Sequence, residues 1–278
     1  MARLYQVVRP TLRYWMETEV HVYGFSIAAN VLLSFYPFLL VIGSLCKYVL
    51  HWPAAEQAIY LALSDYLPGN AEFIRRNIMF EFKPLEWTSL LLLLFTANGI
   101  FEPLEVALNR VWGVAKNRSF VMNQFLSMGL IFACGSLVLL STVLTAWNRE
   151  LWTRLFASDS VILDVLMRTA FKIAAVPITV LILVLVYWLL PNRKIAMRQI
   201  LPTAVFVGLA LEALKYVNLL TWPFLGAKLR REYNVFLNSA TIILWSFFAS
   251  MVVLAGAEWA ARHGMNKPKT EEAAAPAS

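Results

Sequence analysis

The stretch that most limits how this chain can fold is its first long apolar run, Gly24 to Leu50, with the sequence GFSIAANVLLSFYPFLLVIGSLCKYVL. A run of about 20 apolar residues is long enough to cross a bilayer as a helix. Because the hydrocarbon core contains no water, the backbone N–H and C=O groups of such a run must bond to each other, as they do in a helix. Pro37 lies inside the run and lacks an N–H, so the carbonyl one turn earlier loses its helical donor. Asn30 and Ser34 precede it. We therefore expect a helix that faces protein or a cavity rather than lipid.

Composition extends this expectation to the whole chain. The chain has 278 residues, of which 60% are hydrophobic and 15% are charged, whereas soluble domains contain about 25% charged and under about 50% apolar residues. We predict an all-α, polytopic membrane bundle embedded in a lipid bilayer. The net charge of +7 arises from basic residues scattered in short loops. Membrane topology explains this pattern better than nucleic-acid binding does, so we expect no nucleic-acid partner.

The apolar runs predict six transmembrane helices in a single domain, residues 23–262. The runs cover 24–50, a second beginning at Trp87, then 121–146, 169–190, 199–222 and 235–261. Residues 1–22 form a basic segment with an amphipathic pattern at Leu4, Tyr5, Val8, Leu12 and Trp15. The run that follows is too long for a signal-peptide core, so we expect an uncleaved first span. Residues 263–278 are expected to be a disordered tail.

The connecting loops between the first and second, third and fourth, and fifth and sixth spans should lie on the side opposite the termini. The first of these loops predicts two short interfacial helices, one over Ala54 to Tyr66 and a second through Phe73, Ile74 and Ile78. Asn148 to Arg168 and Pro223 to Asn234 are expected to be the other two loops.

The distribution of Lys and Arg favours a cytoplasmic location for both termini, in a bacterial inner membrane. Segments on the side of the termini are consistently basic, whereas carboxylates offset the basic residues of the opposite loops. The cluster of Lys228, Arg230 and Arg231 is the main feature that argues for the reverse orientation.

Polar residues of the spans concentrate towards the half that holds the termini. Glu212 and Lys215 instead fall near the middle of the fifth span. A charge at that depth costs about 2.5–3.5 kcal/mol unless it has a partner or water. We predict a water-accessible cavity that opens to the cytoplasm. Its candidate lining residues are Asn30, Ser34, Pro37, Asn98, Glu102, Glu105, Arg110, Glu212, Lys215 and Glu258.

The charged candidates also have a purely structural explanation, which the sequence leaves open. Glu212 and Lys215 could form a pair that ties the fifth helix to its neighbours. Glu102 and Glu105 could be an interfacial pair neutralised by Arg110, because they lie close to the water boundary.

The remaining candidates have similar structural alternatives. Asn30 could form an interhelical hydrogen bond, and Glu258, which follows Gly256 and Ala257, could anchor the end of a closely packed helix. The prolines at 37 and 177 mainly predict kinks in their helices, and a role as hinges is the second interpretation.

Four groups of motifs follow one another along the chain: Ala28 to Pro37, Asn109 to Trp112, Leu190 to Asn192 with Leu201 and Pro202, and Trp245 followed by Gly256 to Glu258. In this order they resemble the motifs of the YihY/virulence factor BrkB family of bacterial inner-membrane proteins. The resemblance covers roughly Phe25 to Ala260. Thr203 and Asn238 stand where the family commonly has glycine, which indicates a divergent member.

The resemblance implies a six-helix inner-membrane fold with no settled activity, and labels in the family include ribonuclease BN, serum resistance and transport. A metal-dependent nuclease needs a cluster of His and Asp ligands. His21, His51 and His263 are isolated, and Cys46 and Cys134 lie within apolar runs. We therefore expect a chain that is not an enzyme and that binds no metal or cofactor.

Two functional hypotheses follow. In the first, the chain is a transporter or lipid-handling permease for a lipid, small molecule or ion. In the second, it is a non-transporting envelope-integrity or scaffold protein, whose partner-binding loop includes Leu151, Trp152 and Phe156. The residues themselves name no substrate, coupling ion or oligomeric state.

Overall fold

The computed structural model of the chain describes residues 2–53, 59, 60, 63, 87–114, 118–155 and 176–265. These residues form helices and short connections, with no β-strand among them, which confirms the all-α class. A π-helical turn, Leu45–Val49, continues α2, and a 3₁₀ turn, Asn234–Phe236, precedes α7. The helices are α1 (Ala2–Trp15), α2 (Thr18–Ser44), α3 (Trp87–Val111), α4 (Phe120–Leu155), α5 (Val176–Leu189), α6 (Met197–Tyr233) and α7 (Leu237–Met265).

Five helices of the described part, α2, α3, α4, α6 and α7, are long and apolar enough to cross a membrane. This count agrees with five of the six predicted spans. The predicted fourth span, 169–190, corresponds to α5, a shorter apolar helix of which Val176–Leu189 is described. A sixth membrane crossing at α5 therefore stays a prediction.

The amphipathic N-terminal segment forms its own helix, α1, which packs against α7. The Trp15 indole donates a hydrogen bond to the Met251 carbonyl at 3.2 Å, and His21 Nε2 lies 2.8 Å from the Trp15 carbonyl. The first span begins at Thr18, before the apolar run itself. The chain therefore turns sharply between α1 and α2, and both helices contact α7.

The expected loop after the fifth span is helical, which corrects the prediction of a break at Pro223. Helix α6 continues through Pro223 to Tyr233. A proline removes one backbone donor but does not prevent good helix formers from following it, and Arg230 and Arg231 in the last turn suit the negative end of the helix dipole. The helix ends at Asn234, where φ is +39°, a conformation that asparagine tolerates better than most residues.

The third span is also longer than predicted. Helix α4 runs from Phe120 to Leu155, so the expected loop beginning at Asn148 starts as helix. No glycine or proline occurs between Gly135 and Leu155 to end the helix. Helix α7 likewise continues to Met265, into the first residues of the predicted tail, whereas 266–278 lie outside the described residues.

Part of the predicted first loop can be placed. Ile59, Tyr60 and Leu63 are helical, and Ile59 and Leu63 belong to a hydrophobic cluster with Leu39 and Ile42 of α2. The predicted second short helix, through 73–78, lies outside the described residues, as does Phe156. The existence of complete interfacial helices stays a prediction.

Polar contacts show which helix ends lie together. Arg110 near the end of α3 forms an ion pair with Glu19 at the start of α2. Arg118, just before α4, hydrogen-bonds to carbonyls at the end of α5, and Thr11 of α1 donates to Glu258 near the end of α7. We call this the terminal end of the bundle, and the opposite end, with the turn between α6 and α7, the far end. Successive helices from α2 to α5 therefore alternate in direction.

Glycines set the closest helix contacts. A Cβ atom on Gly99 of α3 would lie 2.1 Å from Asn30 Oδ1 of α2, and one on Gly256 of α7 would lie 2.1 Å from Val207 Cγ2 of α6. Both positions therefore need glycine because no side chain fits. The predicted close packing at Gly256 is confirmed.

We expect Gly99→Ala to destabilise the bundle, because the new methyl group would collide with the Asn30 side chain and must either displace it from its hydrogen bond to Ser26 or move α3 away from α2. Overpacking of this kind costs about 1–3 kcal/mol. The matched control is Gly135→Ala in α4, where a Cβ would meet no heavy atom within 4 Å; it should be neutral or slightly stabilising. The midpoint of thermal unfolding in detergent measures both changes. Equal effects of the two substitutions would contradict the close α2–α3 contact.

Candidate functional site

The largest polar cluster at the terminal end surrounds Arg118. Its guanidinium donates hydrogen bonds of 2.9–3.3 Å to the carbonyls of Leu189, Leu190 and Pro191. Helix ends leave such carbonyls without intrahelical donors, and the planar fork of arginine serves several of them at once. Arg118 therefore closes the end of α5 and holds it beside the start of α4.

Glu105 of α3 joins the same cluster. Its carboxylate lies 3.9 Å from Arg118 Nη1 and accepts a 3.4 Å hydrogen bond from Asn109 Nδ2. Asn109 Oδ1 in turn accepts a 2.7 Å bond from the backbone N–H of Asn192. Arg193 completes the contact by donating to the Trp112 carbonyl at 3.0 Å. We call Glu105, Asn109, Arg118 and Asn192 the Arg118 cluster, and it fastens α3, α4 and α5 together.

The alternative in which Arg110 neutralises Glu102 and Glu105 does not match the structure. Arg110 pairs with Glu19, Glu105 is buried beside Arg118, and Glu102 is exposed on α3. Residues five positions apart point to different faces of a helix, so Glu105 and Arg110 are not placed to pair with each other. The sequence motifs Asn109 to Trp112 and Leu190 to Asn192 contain the two residues, Asn109 and Asn192, that form the hydrogen bond of this cluster.

Asn30 and Ser34 form hydrogen bonds within α2, and Asn30 also contacts α3. Asn30 Nδ2 donates to the Ser26 carbonyl at 2.9 Å, and Ser34 Oγ donates to the Asn30 carbonyl at 2.7 Å. The Asn30 side chain also lies against Gly99. Pro37 is buried, and α2 continues through it to Ser44. Asn98 lies on α3 next to Gly99, and its side chain falls outside the described part.

Glu258 forms a contact with α1 at the terminal end. It accepts a 2.5 Å hydrogen bond from Thr11 Oγ1 and pairs with Arg262 at 3.4 Å. Arg262 also donates to Thr11 Oγ1 at 2.9 Å. Burial, together with Glu17 and Glu258, raises the pKa of the neighbouring Tyr14 phenol well above its usual range, so this group stays uncharged. The expected role of Glu258 as an anchor of a helix end fits this geometry.

Glu212 and Lys215 occupy a different environment, a cavity of about 320 Å³ between α2, α5, α6 and α7. One face of each helix forms the wall, because the lining residues recur at three- and four-residue spacing. They are Val31 and Phe35 of α2, Val176 and Thr179 of α5, Gly208, Leu211, Glu212, Leu214, Lys215 and Asn218 of α6, and Thr241, Ile242, Trp245, Ser246 and Ala249 of α7.

The two charged residues of the cavity form an ion pair, Lys215 Nζ to Glu212 Oε1, one helical turn apart. The Lys215 side chain is 8% exposed and that of Glu212 is 26% exposed. At 1.5 Å per residue, Glu212 lies about 21 Å along α6 from Arg198, and Lys215 lies about 20 Å from Lys228. The pair is thus in the middle of the apolar part of α6.

Five further polar side chains are among the described lining residues, namely Asn218, Trp245, Thr179, Thr241 and Ser246. Asn218 is 3% exposed, and its spacing places it on the face of Lys215. The Trp245 indole Nε1 is buried and has no hydrogen-bond partner within the described part of the chain. Thr241 differs, because its hydroxyl donates to the Leu237 carbonyl at 2.7 Å.

The structure therefore divides the predicted lining residues among several contacts. Glu212 and Lys215 line the cavity, whereas Asn30 and Ser34 hydrogen-bond within α2, and Glu105, Arg110 and Glu258 bond to protein partners at the terminal end. Sequence reasoning overlooked Asn218 and Trp245. The i+3 spacing from Lys215 could have identified Asn218, whereas the position of Trp245 depends on how α7 packs against α6.

Comparison of the sequence with known protein families identifies the family of this chain. A sequence profile described as Virulence factor BrkB matches residues 11–278. The chain belongs to the virulence factor BrkB family. This BrkB-family chain matches no solved structure. Within the residues that the structure describes, no group of three His, Cys, Asp or Glu side chains is placed to hold a metal ion.

Curated relatives of this BrkB-family chain are distant. The putative ribonuclease-like protein YfkH of Bacillus subtilis is 23% identical over 82% of this chain and 84% of its own length. UPF0761 membrane proteins of Pseudomonas aeruginosa and Acinetobacter baylyi are each 27% identical, over 69% and 74% of this chain respectively. The chain spans 46% and 49% of the lengths of these two UPF0761 proteins.

We expect Arg118→Lys to destabilise the terminal end, because a single ammonium cannot serve three carbonyls in the geometry of the guanidinium fork. Leaving buried carbonyls without donors costs about 1–3 kcal/mol. The control is Arg198→Lys at an exposed position of α6. Thermal unfolding in detergent should show a lower midpoint for Arg118→Lys alone. An unchanged midpoint would show that the Arg118 cluster does not hold α5.

Proposed function

We propose that this chain is a transporter or lipid-handling permease of the bacterial inner membrane, whose substrate path passes the cavity at Glu212 and Lys215. The observation that carries the proposal is the position of this ion pair in a cavity halfway along a spanning helix. A polar site near the midplane, reached between helices, is the common arrangement of membrane transporters.

The surroundings of the pair support a binding role over a purely structural one. Buried charges that only join helices are stabilised by close packing and complete hydrogen bonding. Here the pair borders a cavity, and Trp245 contributes a buried donor that lacks a partner among the described residues. A ligand in the cavity would supply the missing acceptor.

The orientation is also part of the proposal. The terminal end carries basic residues on several segments, among them Arg9, Arg13, Arg118, Arg193 and Arg198. Short loops rich in Lys and Arg stay on the cytoplasmic side, so we place both termini in the cytoplasm. The basic residues of the far end, at 228–231, lie in the last turns of α6, where they also stabilise the helix dipole.

A specific observation favours the alternative of a non-transporting scaffold protein. Asn30, Glu105, Arg110 and Glu258, all predicted cavity residues, take part in contacts that hold helices in place. If the Glu212–Lys215 pair had the same role, the chain would be a rigid membrane platform. In either case we propose that the chain is not an enzyme.

The permease hypothesis predicts that the cavity is reached from both sides of the membrane in turn. We expect Ser246→Cys, in a chain with Cys46 and Cys134 replaced by alanine, to react with a membrane-impermeant maleimide in both inside-out and right-side-out vesicles. Ser246 lines the cavity, and alternating access would expose it to each compartment. The measurement is the rate of labelling of the purified chain.

Two further cysteines define the background of this measurement. Ser119→Cys, exposed at the terminal end, should react in one vesicle orientation and thereby report the topology. Leu209→Cys, on the outward face of α6 and 54% exposed, should react in neither because lipid surrounds it. Labelling of Ser246→Cys from one side only, or from neither, would contradict alternating access.

The charge pair gives a second prediction. Glu212→Gln or Lys215→Met alone removes one member of the ion pair, so the remaining charge loses this partner, and the amount of protein in the membrane should fall. The double variant removes both charges and should accumulate normally, yet it should fail to complement a strain that lacks the chromosomal copy. Immunoblots and complementation measure the two effects. Normal complementation by the double variant would favour the scaffold hypothesis.

A further inference from the structure

The cavity has an electrostatic property that limits what it can bind. Among the described residues that line the cavity, Glu212 and Lys215 are the charged ones, and they neutralise each other in the middle of α6, where unbalanced charge is unfavourable. A ligand with a single net charge would give the occupied cavity the same net charge. A ligand that carries one positive and one negative group leaves the total at zero, and each of its charges can pair with one member of the ion pair.

The polar groups of the cavity distinguish the two ends of such a ligand. The Trp245 indole can only donate a hydrogen bond, and its Nε1 is buried with no acceptor in the described part of the bundle. An anionic group suits the Lys215 ammonium, and a rotation of the buried indole would bring Trp245 Nε1 within reach of the same group. The Glu212 carboxylate, the more exposed member of the pair, remains to accept from a cationic group.

The rest of the wall is apolar. Val31 and Phe35 of α2, Leu211 and Leu214 of α6, and Ile242 of α7 provide most of it. Ligand pockets in proteins span about 300–1,000 Å³, so a cavity of about 320 Å³ accommodates a polar headgroup and the first atoms of an apolar tail. A longer tail would have to extend beyond the cavity.

We propose that the cavity binds a zwitterionic amphiphile, with its anionic group at Lys215 and Trp245, its ammonium group at Glu212 and its apolar part along the α2 wall. This inference rests on the proposed function, because it names the substrate class of the same cavity. The ligand chemistry has two sources, a membrane lipid with an ammonium headgroup or a soluble zwitterion, and the experiment separates them.

The test measures binding to the purified full-length chain in detergent by native mass spectrometry. The probes are dihexanoyl-phosphatidylethanolamine, which is zwitterionic, dihexanoyl-phosphatidylglycerol, which is anionic, and O-phosphoethanolamine, which has the headgroup without chains. We expect the zwitterionic lipid to bind at least about tenfold more tightly than either of the others. Equal or tighter binding of the anionic lipid would overturn the proposal. Equal binding of O-phosphoethanolamine would overturn the amphiphile and identify a soluble zwitterion.

The ratio of the affinities for the two lipids, measured in variants, provides a second test. Loss of folding would weaken binding of both lipids and would not reverse this ratio. Glu212→Gln removes the carboxylate that pairs with Lys215 and should reverse the preference, so that the anionic lipid binds more tightly than the zwitterionic one. The double variant Glu212→Gln with Lys215→Met, which retains no charge, should lose the preference altogether. The same Glu→Gln change at Glu258, outside the cavity, should leave the wild-type ratio unchanged. A wild-type ratio in Glu212→Gln would overturn the assignment.

Failure of this inference is distinguishable from failure of the proposed function. Labelling of Ser246→Cys from both sides, without the expected lipid preference, would reject the zwitterion and retain the permease. Selective binding together with one-sided labelling would retain the zwitterion site and reject alternating access.

Discussion

Hydrocarbon supplies no hydrogen bonds, so the polar groups inside this bundle depend on partners within the protein. The chain meets this requirement chiefly at the terminal end. Arg118 serves the last carbonyls of α5, Asn109 holds the backbone of Asn192, and Arg262 and Thr11 surround Glu258. These contacts lie where the helices enter and leave the apolar region. The interior beyond them is packed mainly by apolar side chains, with glycines at points of close helix contact such as Gly99 and Gly256.

The cavity stands apart from this pattern. Its ion pair lies where partners are scarce, and its walls combine one charged turn of α6 with an indole from α7 and aliphatic side chains from α2. A bundle that needed only rigidity could place apolar residues at these positions, since replacing buried ion pairs by apolar residues is often neutral or stabilising. The retention of both charges beside open space is the feature that the functional proposals interpret.

Much of the architecture follows from the sequence because apolar length determines spanning helices almost independently of their neighbours. The amphipathic α1 and the proximity of Glu212 to Lys215 are properties of a single helix. The partners of Glu105 and Arg110 are different, because they depend on how far each helix is displaced along its neighbours. Helical spacing keeps Arg110 away from Glu105, but nothing in the residues of α3 specifies that Arg118 takes that place. The prediction of a loop beginning at Pro223 failed for another reason. The loss of one backbone donor at this proline did not outweigh the good helix formers that follow it.

The short turn between α6 and α7 has a mechanical consequence for the cavity. Only the 3₁₀ turn Asn234–Phe236 joins these two long helices, so neither can slide along its axis without carrying the other. Gly256 and Val207 interlock the pair nearer the terminal end. Helices α6 and α7 thus form a stiff hairpin, and α2 and α5 complete the wall of the cavity beside it. Since Arg118 and the hydrogen bond from Tyr187 to the Val253 carbonyl both fasten the terminal end of α5, a change in the wall that α5 forms would require this helix to tilt about that end rather than to translate.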